Sequence, residues 1–290
     1  MNIRISQYSP IGIFDSGIGG LTVAKAVMDA LPNEDIIYFG DSARVPYGIK
    51  SQETVRNYSN QIARFLLFRG VKMIIIACNT ASAAAHDSVQ ALAGDIPVIN
   101  VIESGTKAAL RSGKKEIGVI GTLATIGSGA YEKALKEADQ SLTVKSKACP
   151  LLVPLAEEGW LDNEVTRQTI EIYLEPFKSN GVEALILGCT HYPLFKQVIQ
   201  DYFNDKKLEL IDSAESVAES AKKRLAKLHL LNTAFSKGTL TCYVSDRPQR
   251  FNELAEQFLG REPESVHVES LRDFEDDFGG KMFKVAETAE

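Results

Sequence analysis

Two apolar stretches of the chain end in a cysteine that is followed within two residues by a threonine. They are "IIIACNT" (74–80) and "ALILGCT" (184–190), with Cys78 and Cys189 at corresponding places. Short runs rich in Ile, Leu and Ala are typical of buried β-strands, and the residues after each cysteine turn helical in pattern. Any fold for this chain must therefore place two cysteines in the same local setting, although 111 residues separate them.

A second pair of segments repeats at nearly the same offset. "IGVIGT" (117–122) is similar to "IGIFDS" (11–16), and the offset between them is 106 residues. Repetition at one offset indicates duplicated structural units. We therefore predict two similar lobes related by a pseudo-twofold axis, with the two cysteine-bearing strand ends facing each other across one cleft.

Strands and helices alternate along most of the chain. Strands such as "MIIIA" (73–77) are apolar on both faces, which is typical of parallel sheets covered by helices. The predicted fold class is α/β, with two pseudo-symmetric lobes, each a mainly parallel sheet flanked by helices, and the active site in the cleft between them. A strand "TLTCYV" and a helix from Pro248 to Leu259 follow the second lobe and return to the first. We assign residues 1–100 and 212–270 to the first lobe, 101–211 to the second and 271–290 to an acidic, flexible tail.

Composition narrows the function to small-molecule chemistry. The 290 residues carry a net charge of −6 without a long basic cluster, which argues against nucleic acid as a partner. No apolar run is long enough to cross a membrane, and the first ten residues lack the apolar core of a secretory signal. We expect a cytoplasmic protein that binds a small molecule.

Four cysteines occur without a CxxC pair or a zinc-type histidine spacing, which predicts neither a disulfide framework nor a metal site. Cys242 fits the inward face of an alternating strand, and Cys149 has no polar neighbour that would activate it. Cys78 and Cys189 instead lie at the carboxyl ends of predicted parallel strands, where ligands bind in open α/β sheets. A helix N-terminus after each thiol should lower its pKa from about 8.5 towards neutrality and make it a base.

Polar groups near these strand ends could hold an amino acid. Backbone N–H groups after each cysteine, with the hydroxyls of Thr80 and Thr190, offer a site for a carboxylate. Asp15 in "FDSGIGG" also follows a strand, where its charge could hold a substrate ammonium or steer a proton. Taken alone, "DSGIGG" fits a tight turn without a ligand at least as well as an anion cradle.

Five motifs together resemble those of the glutamate racemase family, cofactor-independent members of the aspartate/glutamate racemase superfamily. In chain order they are "FDSGIGGLTV", "DSARVPYG", "ACNTASA", "VPLAEEG" and "LGCTHYPL". The resemblance extends from about residue 11 to the helix after "CTHYPL", and more loosely to about residue 270. It implies an isomerase that interconverts L- and D-glutamate without cofactor or metal and supplies D-glutamate for bacterial peptidoglycan synthesis.

The resemblance also implies roles for individual residues. In a two-base mechanism Cys78 would act on the D-enantiomer and Cys189 on the L-enantiomer, because two bases must flank the inverted carbon. Auxiliary acid–base or orienting roles fall to Asp15 beside Cys78, and to Glu157 and His191 beside Cys189. From the residues alone Glu158 is an equal candidate, and only the family spacing selects Glu157. The implied substrate contacts are Asp15, Ser16, Tyr47, Gly48, Asn79, Thr80, Thr190 and His191. Asp41 would support these contacts from behind without touching the substrate.

The sequence also fits other functions. An aspartate racemase or another amino-acid racemase of the superfamily would share the two cysteines, and two α/β lobes closing on an amino acid also describe a binding protein. A Cys–His hydrolase using Cys189 and His191 would leave Cys78 unexplained. Family members differ in their homodimer arrangement, and some require the activator UDP-N-acetylmuramoyl-L-alanine near an N-terminal extension. Only about ten residues precede "IGIFDSG", which argues against that extension.

Overall fold

A computed structural model of the protein describes residues 5–204 and 208–275. In chain order the strands and α-helices are β1 (Ile11–Asp15), α1 (Leu21–Ala30), β2 (Ile36–Gly40), α2 (Gln52–Phe68), β3 (Met73–Ile76), α3 (Asn79–Ala93), β4 (Val98–Asn100), α4 (Val101–Arg111), β5 (Glu116–Gly121), α5 (Leu123–Gly127), α6 (Ala130–Ala138), β6 (Thr143–Ala148), α7 (Leu152–Glu157), α8 (Glu164–Ser179), β7 (Ala184–Gly188), α9 (Lys196–Phe203), β8 (Glu209–Ile211), α10 (Ser213–Lys227), β9 (Leu240–Val244), α11 (Pro248–Leu259) and β10 (Ser265–Val268). Short 3₁₀ helices lie at Tyr47–Ile49, Tyr192–Phe195 and Arg272–Phe274.

The strands form two sheets in which every pairing is parallel. The first sheet has the order β10-β9-β2-β1-β3-β4, and the second has the order β6-β5-β7-β8. The segment β2-β1-β3-β4 therefore has the same strand order as the whole second sheet, with β1 equivalent to β5 and β3 to β7. These are the strands that carry the repeated motifs, so the predicted α/β fold with two similar lobes is confirmed.

Helices cover both faces of each sheet, and alternate residues of one strand enter different cores. Ile75 of β3 packs on one face with α1, α10 and α11, while Ile74 and Ile76 pack on the other with α2 and α3. The second sheet lies between α7, α8 and α9 on one side and α4 and α6 on the other. Burial on both faces explains why β1, β3 and β7 have no alternation of polar residues.

The C-terminal elements β9 and α11 pack on the first sheet. Helix α11 has the predicted bounds, and β9 pairs with β2. Cys242 is fully buried on β9, facing the same core as Leu240 and Val244. Across the described ranges 5–204 and 208–275, no helix is long and apolar enough to cross a membrane.

The start of the predicted tail packs against the first lobe. Leu271 is buried in the core beside α2, and the ring of Phe274 contacts Phe65 edge-on with 5.7 Å between centroids. Arg64 also donates a hydrogen bond to the carbonyl of Phe274 at 3.1 Å. The acidic composition of the segment predicts a flexible tail, but the apolar residues Leu271 and Phe274 hold 271–275 in place. Residues 276–290 of the predicted tail lie outside the described residues.

Candidate active site

A small cavity lies where the carboxyl ends of the two sheets meet. Its volume is about 100 Å³, far below the roughly 300–1,000 Å³ of sites for drug-sized ligands. Both Cys78 and Cys189 line it, and both are more than nine-tenths buried. The other predicted site residues that line the cavity are Ser16, Tyr47, Gly48, Asn79, Thr80, Thr190 and His191. Asp15, Asp41 and Glu157 lie behind this wall.

Cys78 sits between β3 and α3, and its thiol caps the helix. The Sγ atom accepts a hydrogen bond from the backbone N–H of Ala81 at 3.4 Å. Burial nevertheless raises the pKa of Cys78 to about 12. The charge of Asp15 also acts to raise this pKa, and its effect is larger than that of the Ala81 hydrogen bond, which lowers it. The expectation that the helix N-terminus brings this thiol towards neutrality is therefore wrong. The surroundings of Cys78 favour its protonated form.

Asp15 lies at the end of β1, buried behind Ser16. Its Oδ2 accepts hydrogen bonds from the N–H groups of Gly17 and Gly20, each at 3.1 Å. In the described part of the chain no donor reaches its buried Oδ1. Burial raises the pKa of the Asp15 carboxyl, while the charge of His191 opposes this rise. Asp15 therefore lies behind the cavity wall, where its charge acts on Cys78.

Cys189 has a different set of partners. His191 Nδ1 lies 3.8 Å from the Cys189 sulfur, and His191 Nε2 lies 3.1 Å from Glu157 Oε1. Burial alone would lower the pKa of His191, but hydrogen bonds to Cys189 and Glu157 outweigh it and raise the pKa to about 10. An imidazolium beside the sulfur stabilises a thiolate. The carboxylate of Glu158 instead pairs with Arg250 at 3.4 Å.

The backbone after Cys189 also differs from the prediction of an immediate helix. A 3₁₀ helix, Tyr192–Phe195, comes first, and α9 begins only at Lys196. Pro193 lacks an N–H and sits in the first turn of the 3₁₀ helix, where a missing donor costs nothing. The positive charge next to the Cys189 sulfur therefore comes from the side chain of His191 rather than from a helix N-terminus.

The loop that carries Tyr47 and Gly48 is fixed from behind by Asp41. This fully buried carboxylate accepts hydrogen bonds from Arg44 Nε at 2.7 Å and from Ser245 Oγ at 2.8 Å, and also from the hydroxyl of Tyr47. The phenol of Tyr47 is buried as well. Asp41 therefore contacts Tyr47 from behind and does not line the cavity.

The two lobes approach so closely at the cavity that some positions require glycine. A Cβ atom on Gly19 would lie 2.7 Å from His191 Nδ1, which is too close for any side chain. The Thr80 and Thr122 hydroxyls, one from each lobe, are 3.0 Å apart. The glycine loop after β1 thus forms part of the surface against which the Cys189 half of the site is held.

Sequence reasoning missed several residues of the cavity wall, of which Thr122 carries the most chemistry. It follows β5 as Ser16 follows β1, and it lines the cavity. The alignment of "IGVIGT" with "IGIFDS" contains this signal, because it pairs Thr122 with Ser16. The other missed residues are apolar and come from both lobes, partly from loops and partly from the 3₁₀ helix Tyr47–Ile49, α5 and α7: Val45, Pro46, Ile49, Leu123, Pro150, Val153 and Pro154.

The arrangement suits proton transfer to and from one small molecule. Burial favours the protonated form of one thiol, the other lies beside the imidazole of His191, and both line one small cavity. Within residues 5–204 and 208–275, no group of three or more His, Cys, Asp or Glu side chains could hold a metal ion.

Two pseudo-symmetric parallel α/β lobes with a cysteine at each equivalent strand end define the architecture of the two-lobed amino-acid racemases. The chain belongs to the Asp/Glu/Hydantoin racemase family, whose sequence model matches residues 21–221. Racemases are isomerases, and the chain is an enzyme of that class.

Individual relatives agree over almost the whole length. The glutamate racemase of Chlorobaculum tepidum is 51% identical over 266 residues, which cover 91% of this chain and 97% of the relative. That of Neisseria meningitidis serogroup C is 47% identical over 269 residues, covering 92% and 99%. Among solved structures, the glutamate racemase of Francisella tularensis in complex with D-glutamate is 42% identical with a TM-score of 0.87, covering 92% and 99%.

Proposed function

We propose that this enzyme is a glutamate racemase that interconverts L- and D-glutamate without a cofactor. The observation that carries the proposal is the pair of cysteines on equivalent strand ends, both lining one cavity of amino-acid size. A related protein of the same fold was solved with D-glutamate bound, and the curated relatives above carry the same name.

In the proposed mechanism each cysteine serves one face of the α-carbon. With L-glutamate bound, the Cys189 thiolate takes the α-proton, so that the C–H bond breaks, an S–H bond forms and the electron pair stays on the substrate. The Cys78 thiol then gives its proton to the opposite face of the same carbon, which yields D-glutamate. With D-glutamate the two cysteines exchange these roles.

The partners of each cysteine supply the electrostatics of this reaction. The His191 imidazolium, held by Glu157, stabilises the Cys189 thiolate and orients its sulfur. Burial, together with the charge of Asp15, keeps Cys78 protonated in the free enzyme. The carbanion-like state needs fixed dipoles and charges because no cofactor delocalises its electrons.

Polar groups of the wall would hold the substrate's charged ends. The backbone N–H groups at the start of α3, with Asn79 and Thr80, form one anion site, and Thr190 lies in the corresponding place on the second lobe. Ser16, Tyr47 and Gly48 complete the contacts from the first lobe. The product D-glutamate would supply peptidoglycan synthesis in the cytoplasm.

The test follows proton exchange in purified protein without added cofactor. D-glutamate in D₂O, with D-aspartate in parallel, is monitored by optical rotation and by loss of the α-proton NMR signal. Decay of rotation with deuterium entry for glutamate alone supports the proposal, and exchange of aspartate alone contradicts the substrate. If neither exchanges, addition of UDP-N-acetylmuramoyl-L-alanine separates a missing activator from a wrong reaction.

Single substitutions test the mechanism in the same assay. Cys78→Ser and Cys189→Ser should each abolish racemization, because each removes one of two required bases. Cys242→Ala is the matched control, since this cysteine is equally buried but lies in the core of the first lobe. Near-normal activity in either active-site variant would rule out the two-base mechanism.

A further inference from the structure

Helix α11 belongs to the first lobe but reaches the Cys189 half of the active site. Its buried face, with Phe251, Ala255 and Leu259, lies in the core that also contains α1 and β1. This anchoring fixes the helix to the lobe of Cys78. The side chains on its other flank are therefore carried towards the second lobe by a rigid element.

Two of these side chains bind the end of α7. Gln257 Nε2 donates to the carbonyl of Ala156 at 3.2 Å, and Arg250 Nη2 donates to the carbonyl of Glu157 at 3.3 Å. Residues seven apart share one face of a helix, so both reach in the same direction. Both accepting carbonyls lie in the last turn of α7, and that of Ala156 also accepts a hydrogen bond from the backbone N–H of Gly159.

A third side chain of the same helix contacts the histidine. The ring of Phe258 meets the ring of His191 edge-on, with 5.4 Å between centroids and an angle of 81° between the planes. Glu157 is the last residue of α7, so α11 touches both members of the Glu157–His191 pair. The charged and hydrogen-bonding groups that act on Cys78, by contrast, come from its own lobe: Asp15, Ser16 and Ala81.

We propose that Arg250, Gln257 and Phe258 are positioning residues that align Glu157 and His191 for proton transfer at Cys189. Docking of the first lobe onto the second thereby acts directly on the proton transfer at Cys189. The inference rests on the proposed racemase function, because it assigns the residues to one step of that reaction.

The test compares Gln257→Met and Arg250→Met, singly and combined, with the wild type. Methionine keeps the length and apolar stem of each side chain and removes its hydrogen-bond donors. We expect kcat/KM to fall about three- to tenfold in the double variant, which corresponds to the loss of one or two ordinary hydrogen bonds. The fall is equal in both directions because the two enantiomers have equal free energy. Asn252→Ala, at an exposed position of the same helix, is the control.

Isotope effects identify the step that is affected. If transfer at Cys189 becomes slower, the deuterium effect on kcat/KM rises for α-deuterated L-glutamate and falls for α-deuterated D-glutamate, relative to wild type. Phe258→Leu should change the two effects in the same sense by an independent route. Arg250→Lys, which keeps a donor, should restore the wild-type ratio. A general loss of stability or substrate binding would not change the two effects in opposite directions.

The outcomes separate this inference from the proposed function. If the wild type exchanges no α-proton, both fail together. If the wild type shows both isotope effects, but all the α11 variants leave their ratio unchanged while melting at the wild-type temperature, the racemase function stands and the positioning role is overturned. An isotope effect that rises for D-glutamate instead would also overturn it.

Discussion

Removal of the charge on Glu157 should move the alkaline limit of catalysis to lower pH. The imidazole of His191 is buried, which by itself lowers its pKa, yet its hydrogen bonds to Cys189 and Glu157 raise the pKa to about 10. The substitution Glu157→Gln keeps the shape of the side chain and the contact at 3.1 Å but loses the negative charge. The imidazolium then loses part of its stabilisation.

The expected shift follows from the exposure of the pair. The Glu157 side chain is 31% exposed, so solvent screens its charge and we assign it about 1.4 kcal/mol, or about one pKa unit. A pKa that falls from about 10 to about 9 reduces the imidazolium fraction at pH 10 from about one half to about one eleventh. The rate should therefore fall about fivefold at pH 10 and by less than about a tenth at pH 8.

The thermal stability of the fold should also depend on the Glu157–His191 pair. Because the pKa of His191 is raised on folding from 6.5 to about 10, the stabilisation it provides is fully present below pH 6.5 and is lost as the pH rises through about 10. The Glu157→Gln variant should therefore melt below the wild type at acidic and neutral pH. The difference should shrink above about pH 10.

The assay is kcat/KM for both enantiomers between about pH 6 and pH 11, with thermal melting in the same buffers. Glu158→Gln is the matched control, since this neighbouring carboxylate is 67% exposed and pairs with Arg250. An alkaline limb that stays in place in Glu157→Gln, or that moves equally in both variants, would refute the role of Glu157 in holding the imidazolium.

Three further predictions concern lobe closure, buried charge and cofactors. Gly48→Ala places a Cβ atom 2.6 Å from Thr122 of the other lobe and should lower kcat/KM at least about tenfold, whereas Gly127→Ala, with no atom within 4 Å, should leave it unchanged. Lys72→Met leaves the buried Glu34 without its ion-pair partner and should lower the free energy of unfolding by about 3–5 kcal/mol in urea titrations, with the specific activity of folded protein retained. EDTA should leave activity unchanged, and no absorbance of bound pyridoxal phosphate should be present; loss on chelation would require a metal-dependent mechanism.

The fold could be predicted because its determinants are local and repeated. The apolar strands before Cys78 and Cys189 and the bounds of α11 follow from short patterns, and the repeat predicts that β1 and β5 are equivalent. The repeat did not lead to Thr122 because its partner Ser16 was identified through a motif and not through its place after the strand. The choice between Glu157 and Glu158 depended on family spacing, since only the three-dimensional path of α7 turns one of them towards His191.

The state of Cys78 could not be predicted from its helix. The local pattern correctly indicates that the thiol lies at an N-terminus, and the hydrogen bond from Ala81 forms. Desolvation and the charge of Asp15 have the opposite effect on the pKa and are larger. Both come from residues distant in sequence that the fold brings together, so they are absent from any window around "ACNTAS".

Racemization by two thiols needs one donor and one acceptor at the same time, and two identical half-sites would hold both thiols in the same form. The two half-sites share the same backbone but differ in the surroundings of each sulfur. Cys78 is buried beside a carboxyl group, whereas Cys189 lies beside an imidazolium. In the proposed mechanism the free enzyme is therefore ready for L-glutamate. Turnover of that enantiomer leaves Cys189 protonated and Cys78 ionised, so the cysteines must exchange a proton before the next L-glutamate reacts. The partners that favour the starting state also favour this return. His191 stabilises a thiolate at Cys189, whereas burial and Asp15 destabilise a thiolate at Cys78.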